Sequence, residues 1–166
     1  MLISTKGRYA LRVLIDLAEH EDAGYIPMKD VAARQGISLK YLERILPVLT
    51  KNGFVQGLQG KGGGYRLIKP PKECRLGDIL RLTEGDLAPV ACLEASAPPC
   101  MRAQECRTYP LWVEFYNLVN AFFDGKTLAD LIQPGTLSHE EDLHPAGCLF
   151  LTFDASNPAT ISTRKQ

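Results

Sequence analysis

The stretch from Met28 to Ile68 constrains this chain most, because helix, turn, helix and hairpin signals succeed one another there with almost no spacer. A first short helix is expected from about Met28 to Gln35, stopping at Gly36. Ser38 then opens S-L-K-Y-L-E-R-I-L-P-V-L-T-K-N. Its hydroxyl can accept from the unpaired amides of a first turn, and Gly53 can supply the left-handed residue beyond the last one. Leu39, Leu42, Ile45, Leu46 and Leu49 recur at helical spacing, leaving Lys40, Tyr41, Arg44 and Lys51 off the apolar face. Pro47 has no amide to donate and crowds the preceding turn, so a kink is expected there. An ordinary amphipathic helix with a solvated basic face would carry the same pattern, so this segment alone does not choose a role.

The segment after Gly53 does choose one. F-V-Q-G-L-Q-G-K-G-G-G-Y-R-L-I reads as two short strands, Phe54 to Leu58 and Tyr65 to Ile68, around a turn containing Gly60, Gly62, Gly63 and Gly64 with Lys61 at its tip. A nucleotide phosphate loop is disfavoured, since Lys61 is followed by Gly62 instead of Ser or Thr and no helix opens there. Helix, short turn with glycine, capped helix and hairpin in this order predict a winged helix-turn-helix module with Ser38 to Asn52 as its DNA recognition helix. The fold class expected is mainly α with a small β hairpin, plus a long helix for dimerisation.

The formal net charge of the 166 residues is zero, which argues against nucleic acid until the chain is divided at Arg75. Residues 1–75 carry 13 Lys and Arg against 7 Asp and Glu, and the remainder carries 6 against 12. That asymmetry suits a basic nucleic-acid-binding part joined to a part with another task. The apolar N-terminal residues alternate with Lys6, Arg8 and Arg12, unlike a signal peptide, and no apolar run is long enough to span a membrane, so a cytoplasmic protein is expected. An enzyme is not expected: His20, His139 and His144 fall at a helix end and in the tail, with no nucleophile pattern beside them.

Around the module, a first helix is expected from Ser4 to about Glu21, with Tyr9, Ala10, Val13, Leu14, Leu17 and Ala18 on one side. Another is expected from Arg75 to Glu84, closing a DNA-binding part at residues 1–84. Residues 85–109 form an irregular loop with Cys92, Cys100 and Cys106. A strong helix should run from Pro110 to Asp124, with a broad aromatic stripe of Leu111, Trp112, Phe115, Leu118, Val119, Phe122 and Phe123. Such a stripe usually belongs to a core, but in so small a fold part of it is expected to meet another subunit. Thr127 should cap a short return helix through Ile132, completing a segment 110–133. Residues 134–166, with an isolated apolar patch at Cys148 to Phe153, are expected to be a disordered tail.

Thiolates are soft ligands, suited to iron-sulfur clusters, zinc and copper(I). Cys92, Cys100 and Cys106 contain no C-x-x-C pair, and their spacing leaves cluster binding and redox-sensing thiols equally open. Cys74 and Cys148 look incidental. Together, the opening S-T-K-G-R-Y-A-L-R, the segment Q-G-I-S-L-K-Y-L-E-R-I-L, the hairpin G-K-G-G-G-Y-R-L, the three-cysteine loop and the L-W-x-E helix resemble the Rrf-two family of bacterial winged-helix transcriptional regulators, and within it the iron-sulfur regulators. The likeness covers about residues 1–133.

That resemblance implies a homodimer on a palindromic operator in double-stranded DNA. DNA contacts would come from Ser38, Lys40, Tyr41, Glu43, Arg44, Gln59 and Lys61. It implies a cluster on Cys92, Cys100 and Cys106, of the 2Fe-2S kind in preference to 4Fe-4S, with the fourth ligand unassigned. Three positions after the last cysteine, where the iron-sulfur regulators have a histidine, stands Tyr109. Gly7 and Arg8 stand where other cluster-bearing relatives have a carboxylate, Gln59 replaces a wing arginine, and Glu94 and Glu105 are oxygen donors within the loop. A cluster-free regulator of the same fold, responding to thiol oxidation or a protein partner, is the alternative.

Overall fold

A computed structural model describes residues 3–133, 151–153 and 161–163. The hydroxyl of Ser4 accepts from the amides of Lys6 and Gly7 at 3.1 and 3.4 Å and starts α1 (Thr5–Glu19). Ala10, Val13, Leu14 and Leu17 are buried along one face of α1, as their spacing requires. A single turn, Glu21–Ala23, leads to α2 (Met28–Gln35) and then α3 (Leu39–Lys51). Next come β1 (Val55–Leu58), β2 (Gly64–Leu67) and α4 (Leu76–Glu84), and after the cysteine loop α5 (Tyr109–Asp124) and α6 (Leu128–Ile132). Helix α1 is the pillar of the fold, with α2, α3, β2, α4 and α6 all packing on it.

The end of α3 shows how sequence fixes a boundary. Gly53 takes φ 72°, its amide donates to Thr50 and that of Phe54 reaches back to Leu49 at 3.0 Å, which is a Schellman closure. A side chain at Gly53 would be strained, so the chain turns into β1 at that residue. Leu42, Ile45, Leu46 and Leu49 are buried as expected, and α3 continues unbroken through Pro47, which lies exposed. Leu39 departs from the expected apolar face and is 48% exposed. It occupies the first helical position, and side chains on a helix lean toward its N-terminus, so it projects beyond the buried stripe that begins at Leu42.

The hairpin pairs Val55 with Leu67 and Leu58 with Gly64 in antiparallel register. On its other edge, β2 exchanges two 2.9 Å hydrogen bonds with Ile26, through Ile26 N–H to Tyr65 O and Tyr65 N–H to Ile26 O. The wing is thereby tied to the connector before α2. A Cβ at residue 64 would lie 2.3 Å from the Ile26 carbonyl oxygen, so Gly64 serves a close approach within the chain.

Residues Met1–Ile132 form one compact unit. Leu76 N–H donates to Lys126 O and Leu128 N–H to Cys74 O, both at 2.9 Å, which returns α6 to the start of α4 and buries Leu128 in the main core. Cys74 is fully buried in that core, not incidental as its position after the wing implied. Leu80, Leu87 and Val119 form a second cluster that seats α5. The second unit contains an antiparallel pair, β3 (Leu151–Phe153) and β4 (Ile161–Thr163), with Thr152 opposite Ser162. The remaining residues of the expected tail, Cys148 among them, lie outside the described residues.

Candidate nucleic-acid interface and cysteine loop

Helix α3 offers an exposed face beginning at Ser38 and running through Lys40, Glu43, Arg44, Pro47 and Lys51. Ser38 itself is committed to capping, accepting from Tyr41 N–H at 3.3 Å. Tyr41 is only half outward: its ring packs edge-to-face on Tyr9, centroids 5.2 Å apart, and Arg12 lies over Tyr9 at 5.4 Å. The sequence placed Tyr41 wholly off the apolar face, and α1 covers part of it. In the wing, Gln59 and Lys61 are exposed in the turn between β1 and β2. A hollow of about 470 Å³ between wing and helices is lined by Lys29 at the start of α2, Thr50 near the end of α3, and Leu58 and Gln59 of the wing.

Pairing sorts the cations of this region into two kinds. Arg34 holds Asp16 through Nη2 at 2.6 Å and Nε at 3.0 Å, Arg12 holds Gln35, and Arg66 bonds Gln56 and stacks over Tyr25. Among the described residues, the side chains of Lys40, Glu43, Arg44, Gln59 and Lys61 have no hydrogen bond or ion pair within the chain. Charges spent on folding are thus separate from charges left for a partner. Free cations on a helix face and wing are the groups that neutralise phosphate and read base edges in a duplex.

The helix-turn-helix is held against α1 by a carboxylate that sequence reading missed. Asp16 is 1% exposed and accepts from both Arg34 nitrogens and from Gln35 Nε2 at 3.0 Å. Its signal was available: a carboxylate three residues after Val13 and one before Leu17, on the side of α1 that packs. Burial pushes the Asp16 carboxyl up, but the bonds from Arg34 and Gln35 outweigh it and hold the group below its ordinary 3.8. Asp16→Asn is expected to destabilise the fold by about 2 kcal/mol, at the low side of a broken buried pair because Arg34 is 36% exposed and stays hydrated. A depressed carboxylate contributes its stability above the unfolded-state value and loses it as pH falls through the folded one. The gap in thermal midpoint between wild type and variant should therefore be full at neutral pH and close below pH 3.8. A gap unchanged by acid would mean that the charge is not what matters.

The cysteine loop is anchored by a second buried-edge carboxylate. Asp86 accepts from Ala88 N–H at 2.7 Å, Ala95 N–H at 2.8 Å and Tyr116 O–H at 3.1 Å, linking the loop to α5. Arg81 on α4 bonds Asn120 at 2.8 Å and pairs with Asp124, fixing α5 to the body. Cys92 lies exposed in the turn Ala91–Leu93, and Cys100 and Cys106 are partly exposed. Hydrogen bonds from Thr108 hold the Cys106 thiol below its ordinary pKa, with Thr108 Oγ1 3.4 Å from its sulfur.

Three soft thiols on one accessible loop fit a cluster by donor chemistry. Their arrangement does not yet fit: among the described residues no three His, Cys, Asp or Glu side chains are gathered so as to hold a metal ion. Tyr109, in the position of a fourth donor, is the first residue of α5. Exposure also separates the thiols from Cys74, whose pKa burial raises. In the native protein a thiol-alkylating reagent should modify Cys92, Cys100 and Cys106 at least about a hundredfold faster than Cys74, which becomes reactive only on unfolding. Mass spectrometry of the labelled peptides measures this, and comparable rates would refute the burial of Cys74.

Comparison with known proteins adds to this geometry. The family model described as Rrf2, iron-dependent transcriptional regulator, matches residues 3–134. The HTH-type transcriptional regulator IscR of Serratia proteamaculans (strain 568) is 35% identical over 132 residues, covering 80% of this chain and 79% of its own length. Protein rrf2 of Nitratidesulfovibrio vulgaris is 38% identical over 141 residues, covering 82% and 91%. The solved structure of CymR, the global cysteine regulator of B. subtilis, superposes with a TM-score of 0.65 at 35% identity, over 80% of this chain and 96% of that one. The family model and the IscR relative are described as transcriptional regulators, not enzymes. No helix of the described residues is long and apolar enough to cross a membrane.

Proposed function

The chain belongs to the Rrf2 family of transcriptional regulators, and from that premise we propose a homodimer that reads a palindromic operator through α3 and the wing, under the control of the cysteine loop. The observation that carries the DNA half is the face of Lys40, Glu43 and Arg44, whose side chains have no hydrogen bond or ion pair among the described residues. With α3 in the major groove, Arg44 donates to guanine or phosphate, Glu43 accepts from cytosine or rejects other bases, and Lys40 and Lys61 neutralise phosphate. Ser38, Tyr41 and Gln59 complete the contact set. Two such helices, about one duplex turn apart, demand a two-fold partner.

Helix α5 supplies the surface for that partner. Leu111, Phe115, Leu118 and Phe122 are each between 40% and 56% exposed, and their separations of four, three and four residues make the seam of a paired helix. Val119, Tyr116 and Phe123 face the protomer instead.

For sensing, Cys92, Cys100 and Cys106 would hold an iron-sulfur cluster, whose chemistry when bound is sensitivity to iron supply and oxidants. The chain's own part is the Asp86 clasp: Ala95 lies between Cys92 and Cys100, so rearranging that loop acts on Asp86 and, through Tyr116, on the dimer helix. The second reading, a cluster-free regulator responding to thiol oxidation or a protein partner, is favoured by three accessible thiols that are not drawn together. Anaerobic reconstitution with iron and sulfide separates the two. Bound iron and sulfide that vanish in the Cys92, Cys100, Cys106 triple alanine variant support the cluster, and a colourless protein supports the thiol switch. Selection of duplexes from a random pool tests the DNA half, which fails if no sequence is enriched even at low salt.

A further inference from the structure

We infer that Leu39 reads the 5-methyl group of a thymine, as a specificity determinant beside the polar contacts of α3; this rests on the proposed docking of α3 in the major groove. Four other leucine and isoleucine side chains of α3 are at most 4% exposed, whereas Leu39 is 48% exposed. Among the described residues it is the large apolar side chain on helices α1 to α4 that the fold leaves in water. Folding does not account for it there, since the buried stripe of α3 begins at Leu42.

Its position does suggest an account. Leu39 is the first residue of α3, between the cap Ser38 and the free Lys40, and one turn before the free Glu43. Residues four apart on a helix share a face, and their side chains lean toward the N-terminus, the end that a recognition helix brings to the base edges. The apolar feature on the major-groove edge of B-DNA is the thymine methyl, since the other recognition groups there are donors and acceptors. A branched aliphatic side chain beside Glu43 therefore matches thymine next to the base pair that Glu43 faces. It contributes what no hydrogen bond can, discrimination of thymine from a pyrimidine with the same oxygen acceptor and no methyl.

Deoxyuridine provides that comparison. Duplexes are selected from a random pool with the full-length wild-type protein, and each thymine of the selected site is then replaced in turn by deoxyuridine. One thymine per half-site should lose affinity roughly fourfold on replacement, the change that burial of one methyl-sized group produces. Leu39→Ala should bind the thymine and uracil duplexes equally while keeping the wild-type dependence on salt and, because residue 39 lies outside the core, the wild-type thermal midpoint. If no thymine of the selected site is sensitive to its methyl, or if Leu39→Ala retains the same sensitivity, the inference is overturned while DNA recognition stands. If the wild type enriches no sequence, recognition by α3 fails and this inference with it.

Discussion

Lys40→Ala combined with Arg44→Ala is expected to weaken binding to a selected operator by about a thousandfold or more while leaving the fold intact. Both side chains are exposed on α3 and neither is paired among the described residues, so their removal leaves no buried group stranded. Each contact to a phosphate or a base edge contributes on the order of 1–3 kcal/mol, and a two-fold complex loses each of them twice. The salt dependence tells the two roles apart. Each lost phosphate contact lowers the slope of log affinity against log salt by about 0.9, so four lost phosphate contacts would flatten it by more than three. If Arg44 reads guanine instead, the loss is concentrated on the cognate sequence and nonspecific binding changes less. Unchanged affinity in both comparisons would remove α3 from the interface.

Phe115→Glu should separate the proposed dimer with comparable force. Phe115 sits in the middle of the seam from Leu111 to Phe122 and is 40% exposed in the protomer, so the substitution leaves the protomer's core untouched. In a two-fold interface the same change appears twice, replacing two aromatic contacts by two carboxylates that must be desolvated side by side. The dimer dissociation constant is expected to rise by at least about a thousandfold, and operator affinity to fall by about 10²- to 10⁴-fold as bivalent binding is lost. Sedimentation and electrophoretic shift measure the two effects. Val119→Ala is the control: Val119 packs on Leu80 and Leu87, so this variant should lower the thermal midpoint and remain dimeric. A Phe115→Glu protein that is still a dimer at micromolar concentration would show that the exposed stripe of α5 serves something else.

Helix α3 and the charges it presents differ in how far local chemistry reveals them. The helix itself is legible from its own residues: Ser38 caps it, Gly53 turns it off, and the spacing of Leu42, Ile45, Leu46 and Leu49 selects its buried side. The order of helices and hairpin is equally plain, since each boundary is written within three or four residues of itself. The same signals do not say which charges are free. Arg34 and Arg44 are both arginines on short helices of the basic half, yet Arg34 is bound to a carboxylate 18 positions back and Arg44 to no group among the described residues. Tyr41 and Leu39 likewise exchanged their expected places, one drawn against Tyr9 and the other left in solvent.

What the sequence determined by itself, then, is the succession of elements, the sites of their caps and turns, and the segregation of basic residues into the first 75 positions. These depend on short-range terms, the hydrogen bonds of a first turn, the φ that glycine permits and the period of apolar side chains. Only the tertiary structure decided that Gly64 makes room for the Ile26 carbonyl, that Cys74 is core while Cys106 is accessible, and that the α5 stripe divides into Val119 and Phe123 inward and Phe115, Leu118 and Phe122 outward. The reason is that exposure and partnership are set by segments distant in the chain, whose approach no local pattern encodes. A helix carries its apolar residues in its own sequence, but what covers them is written elsewhere.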